Sequence, residues 1–92
     1  MITSVAEQRR EKRRQGHGNV LVRPESPGSH DIQGRLVDVS ASGFRMAHAN
    51  QSLQSGQIVE FSHSLAVGAA RVMWNRIMDQ RVETGFLIVT TR

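Results

Sequence analysis

The sequence predicts an all-β fold, a small six-stranded antiparallel barrel behind a flexible basic N-terminal arm, and three observations predict it. Short runs in which apolar and polar residues alternate recur from Val20 to Thr90, with the two-residue repeat of strands rather than the helical repeat. Clusters of Gly, Pro, Ser, Asn and Asp separate these runs, as turns between short strands require. The surplus of positive charge is confined to one stretch ahead of the first run, which sets that stretch apart from the folded body. A chain of 92 residues suits one such domain, with the arm over 1–16 and the barrel over 17–92.

Taken in order, the first eight residues carry little helical potential, and QGHGN after the basic cluster reads as a glycine-rich hinge. NVLVR is a first strand, ended by the loop PESPGSHD. DIQGRLVDVS is a second, with Ile32, Gly34 and Leu36 alternating against Gln33 and Arg35. SASG breaks the run, and FRMAHA resumes it with Phe44 and Met46 on one face. ANQSLQSG reads as a loop with room for one helical turn, closed by Gly56. QIVEFSH follows, with Val59 and Phe61 directed inward. AARVMWNRIM places Ala70, Val72 and Trp74 on one face and Arg71, Met73 and Asn75 on the other. DQR turns the chain, and VETGFLIVT is the sixth strand, leaving room for little or no C-terminal helix. Short strands with tight turns are the pattern of a small barrel.

Charge narrows the functional classes. Net charge is +4, and Lys12 is the one lysine among twelve basic residues. Arg9-Arg10-Glu11-Lys12-Arg13-Arg14 sums to +4, so the rest of the chain is neutral and the basic cluster is a localised anion site rather than one part of a basic surface. Arginine suits that role because its planar guanidinium grips phosphate through two parallel N–H groups and stacks on flat rings. With no cysteine there is neither a disulfide framework nor a thiolate metal site, consistent with a reducing, cytoplasmic home. No apolar run approaches the roughly 20 residues of a membrane-spanning helix, and the N-terminus lacks a signal-peptide core.

Two segments carry the functional argument. The arginine cluster contains R-x-x-x-R twice, as Arg9/Arg13 and as Arg10/Arg14, and Asp38-Val39-Ser40-Ala41-Ser42-Gly43 reads D-x-S-x-x-G at a junction of two strands. In this pair of motifs, and in ARVMW followed by a turn and ETGFLIV, the chain resembles the PilZ domain family over residues 7 to 89. The resemblance implies a receptor for cyclic di-GMP, a bacterial second messenger with two phosphates and two guanines. It assigns Arg9 and Arg13 to phosphate and base, Asp38 and Ser40 to guanine, and Gly43 to the shape of the loop, with Arg10/Arg14 an open alternative register. The chemistry is apt: arginine meets the O6 and N7 acceptors of guanine bidentately, a carboxylate accepts from guanine N–H groups, and glycine allows a positive-φ turn close to ligand. On this reading the arm is expected to order on the ligand and to present a changed face to a downstream protein partner.

Other residues are weighed beside these. Trp74 is placed either in the core, by its alternation with Val72, or stacked on a guanine. Met46, Met73 and Met78 read as packing, and Arg45, just after the motif loop, is placed either in reach of ligand or, as is commoner, simply exposed on its strand. His17, His30, His48 and His63 lack metal-ligand spacing, so neither a metal nor another cofactor is expected. No nucleophile–base pair or carboxylate pair is evident, so no enzymatic activity is expected. The rival readings are a small barrel that binds RNA or single-stranded DNA, and a ligand-independent protein-interaction adaptor. The first is disfavoured by the scarcity of aromatics, three phenylalanines and one tryptophan.

Overall fold

The computed structural model describes residues 12–92, and these contain strands and turns with no helix. The strands are β1 (Arg14–Gln15), β2 (Asn19–Pro24), β3 (Ile32–Val39), β4 (Gly43–His48), β5 (Ile58–His63), β6 (Ala66–Met78) and β7 (Arg81–Thr91). Six of them form a closed antiparallel barrel in the order β3-β2-β5-β6-β7-β4, with β4 returning to pair with β3. Closure satisfies every strand edge within the barrel, so a chain this short needs no covering layer.

The seventh strand is β1. It pairs with β3 on the same edge as β2, with Gln15 opposite Asp38 and Asn19 opposite Arg35. Between the two segments, Gly16 donates to the Val37 carbonyl and Leu36 to that of Gly18, each at 2.9 Å. The expected hinge is thus a break within one long edge pairing. Gly18 has φ +93°, a backbone that side-chain-bearing residues rarely adopt. Of the described basic residues Arg14 lies in this strand, annealed beside the D-x-S-x-x-G motif, and Lys12 and Arg13 precede it outside any strand.

Inward residues follow the alternation read from the sequence. Val20, Val22, Ile32, Leu36, Phe44, Met46, Val59, Phe61, Ala70, Val72 and Phe86 are all buried and form one core. Phe44 stacks on Phe86 at 4.7 Å between ring centres and tilts against Phe61 at 4.8 Å, filling the middle of the barrel. The loop after β4 contains no helical turn. Asn50 instead accepts the backbone N–H of Ser52 at 2.7 Å, the local bond by which asparagine diverts a chain from helix, while Leu53 plugs the core at 5% exposure.

The register shifts at three places, one between Ala69 and Ala70 in the β6–β7 pairing and two beside residues of the site. A β-bulge between Leu36 and Asp38 shifts the β3–β4 register, and another between Val72 and Trp74 shifts β6–β7. Without the first, Asp38 would follow Leu36 inward; without the second, Trp74 would follow Val72 inward. An extra residue reverses the facing of those after it. Asp38 and Trp74 therefore both stand on the outer face.

Candidate functional site

Strand register builds the site as a row across five strands. Gln15 on β1 faces Asp38 on β3, Asp38 faces Arg45 on β4, Arg45 faces Gly85 on β7, and Gly85 faces Trp74 on β6. Residues directly opposite in a sheet share a face. The outer side of this row therefore presents a carboxylate, a guanidinium and an indole that lies over Gly85. Glycine is required at that position, because a Cβ there would overlap the Trp74 ring.

A groove of about 400 Å³ opens over the row. Arg13 and Arg45 line one side with Ser40 and Ser42 of the motif loop, and Met73, Trp74 and Leu87 line the other. Trp74 is 39% exposed, so its ring belongs to the groove and not to the core; the bulge overturns the core placement that its spacing from Val72 suggested.

Asp38 is the electrostatic centre. Its Oδ1 accepts from Arg13 Nε at 3.2 Å, Arg13 Nη2 at 2.9 Å and Arg45 Nε at 3.0 Å. Its Oδ2 accepts from Arg45 Nε at 2.9 Å and also from Arg45 Nη2. Burial alone would raise the carboxyl pKa, but the hydrogen bonds from Arg45 and Arg13 and their positive charge outweigh it and hold it below the ordinary value. The same pairing raises the pKa of Arg45 against its partial burial. Arg45 is also 3.9 Å from Glu83, which Arg76 and Arg81 approach to 3.5 and 3.7 Å. Two buried carboxylates thus organise four guanidiniums on this face.

Arg13 Nη1 also lies 3.5 Å from Ser40 Oγ. Arg13 and Asp38 are 25 residues apart in sequence, and Arg13 and Ser40 are 27 apart, so the fold unites the two motifs. Within D-x-S-x-x-G the chain makes a tight turn in which the Ser40 N–H donates to the Gly43 carbonyl at 2.9 Å.

Gly43 enters differently from expectation. Positive φ occurs at Gly18, Gly28 and Gly56 but not at Gly43, which is the first residue of β4, opposite Leu87. A Cβ at Gly43 would run into the Phe86 carbonyl, so the glycine is needed for close approach of β4 to β7. It still lines the groove.

Arg14 is exposed on β1 and is not among the residues lining the groove. Arg9 and Arg10 lie outside the described residues. Arg45 gained only passing notice in the sequence, although its position opposite Asp38 in the β3–β4 hairpin was a signal. Among the described residues no group of three or more His, Asp or Glu is placed to hold a metal ion, and no helix is long and apolar enough to cross a membrane. No protein-family model matches this chain, and no curated protein matches it.

Proposed function

We propose that this chain is a cyclic di-GMP receptor of the PilZ type and that it acts by binding rather than by catalysis. The observation that carries the reading is the junction of the two motifs. Arg13 of R-x-x-x-R meets Asp38 and Ser40 of D-x-S-x-x-G at the rim of a groove whose far wall is an exposed indole. An anionic ligand with flat bases needs those three elements: guanidinium donors, small polar groups and an aromatic face. Arg9 and Arg10, of the same basic cluster in sequence, are assigned to the ligand's phosphates, and the protein signals through a downstream partner that senses the occupied face in the cytoplasm.

The test is calorimetric titration with cyclic di-GMP at physiological salt, with GTP as control. The receptor reading expects saturable binding of cyclic di-GMP alone, lost in the Arg9→Ala/Arg13→Ala double variant. Equal binding by that variant would remove the motif junction as the ligand site.

Non-specific binding of single-stranded nucleic acid draws less support. Such platforms stack successive bases on several exposed aromatics, whereas Phe44, Phe61 and Phe86 are all spent in the core.

A further inference from the structure

We infer that Arg45, which belongs to neither motif, reads the guanine base, and that Asp38 holds it in position to do so. This rests on the receptor reading above and adds to it the source of base selectivity.

The argument starts from the lone pairs of Asp38. A carboxylate offers about four acceptor positions, and Arg13 and Arg45 together direct five N–H contacts at Asp38. A guanine N–H would have to displace a guanidinium from a carboxylate whose side chain is only 11% exposed. Holding the arginines is therefore the work Asp38 already does.

The atoms used identify what is left. Arg45 meets Asp38 through Nε and Nη2, the edge of the guanidinium nearest its own chain. The end-on edge formed by Nη1 and Nη2 makes no hydrogen bond to Asp38 through Nη1. The carboxylate beside Nη1 is that of Glu83, at 3.9 Å and beyond hydrogen-bond range. Asp38 on β3 thus fixes the plane of Arg45 while leaving Nη1 and the outer N–H of Nη2 for something else. The Arg45 side chain keeps 32% exposure, as a contact residue must.

Position supplies the base. Arg45 and Trp74 flank Gly85 in the same cross-strand row, and the indole lies over the glycine. A purine stacked on the outer face of that indole turns one edge toward Arg45. Guanine offers O6 and N7 there, two acceptors for the two donors of an end-on fork, whereas adenine offers N7 beside an N6 donor that opposes it. The groove is built to take guanine and reject adenine.

The test compares cyclic di-GMP with cyclic di-AMP by calorimetry on the wild type, Arg45→Gln and Arg45→Lys, each checked for an unchanged fold by circular dichroism and thermal melting. A bidentate arginine–guanine contact discriminates by roughly ten- to a hundredfold. The wild type should therefore prefer cyclic di-GMP by at least that factor. Lysine keeps the charge and loses the fork, so Arg45→Lys should retain most of the phosphate-driven affinity while its preference collapses. Arg45→Gln should lose both affinity and preference. If either folded variant binds cyclic di-GMP with wild-type selectivity, Arg45 does not read the base, although the receptor reading stands. If the wild type binds neither dinucleotide, the receptor reading falls and this inference falls with it.

Discussion

Asp38 and Trp74 sit on the same outer face of the barrel because each follows a β-bulge that reverses the facing of its strand. Leu36 and Val72, two residues earlier in each case, are buried in the core at 2% and 0% exposure. The two irregularities thus convert positions that plain alternation assigns to the interior into opposite walls of a groove. Bulges next to binding sites commonly re-aim a side chain in this way.

The first prediction concerns Trp74. Truncating it should leave the barrel nearly as stable as wild type, because the ring is 39% exposed and lies on the outside. Loss of one base–aromatic stack should weaken cyclic di-GMP binding by about 1–3 kcal/mol. Urea unfolding and calorimetry on Trp74→Ala separate the two effects. A large loss of stability would return the ring to a core role. As the chain's only tryptophan, Trp74 should also report ligand directly through a saturable change in fluorescence.

Asp38→Ala tests the centre of the ion network. It leaves Arg13 and Arg45 adjacent without the carboxylate that joins them. Loss of charge-assisted hydrogen bonds predicts a fall in stability of about 2 kcal/mol, visible as a lower urea midpoint at unchanged slope. Binding should be lost as well, since neither guanidinium is then held in place.

The legibility of this fold divides along physical lines. Val59 and Phe61 on β5, or Ile32 and Leu36 on β3, announce themselves because one face of a regular strand is buried and the other is not. β1 could not announce itself: Arg14 and Gln15 are both exposed, so a strand made of them carries no alternation. Trp74 was ambiguous for the opposite reason, since its alternation with Val72 is real in sequence and is cancelled by one extra residue in space. The need for Gly43 was legible as a need for glycine but not as its cause, because the obstructing carbonyl belongs to Phe86, far along the chain. The two motifs were legible as residue types. Their meeting, and the insertion of Arg45 between them, depended on register.

A second polar network, which does not itself line the groove, predicts a stability defect. Thr84 is fully buried; its Oγ1 donates to Asn75 Oδ1 at 2.6 Å and accepts from His48 Nε2 at 2.6 Å, while Asn75 Nδ2 donates to the Leu53 carbonyl at 2.9 Å. This chain ties the 49–56 loop to β4, β6 and β7. Thr84→Val keeps the shape but strands the buried His48 Nε2–H and removes the bond to the exposed Asn75, which should cost about 1–3 kcal/mol. Thermal unfolding would show it, with ligand affinity unchanged.

That network also predicts a pH dependence. His48 Nδ1 accepts the Asn50 N–H at 3.0 Å, so the ring is neutral, and burial holds its pKa below the ordinary 6.5. Burial lowers that of His63 as well. The folded state thus binds fewer protons than the unfolded chain just below pH 6.5, so this contribution is complete above 6.5 and is lost as pH falls through the lowered values. Asp38 follows the same sign at lower pH: its contribution is complete above 3.8 and is lost below it. Urea midpoints measured against pH should fall in two steps, and His48→Gln should shrink the first step while leaving the second.

The most direct test of the central claim is calorimetric titration of the purified chain with cyclic di-GMP at physiological salt, repeated with Arg13→Ala. The account predicts saturable binding by the wild type, none of comparable affinity for GTP, and a large loss in the variant, whose guanidinium joins the two motifs at Asp38. No heat of binding from the folded wild type, or full affinity in Arg13→Ala, would contradict it.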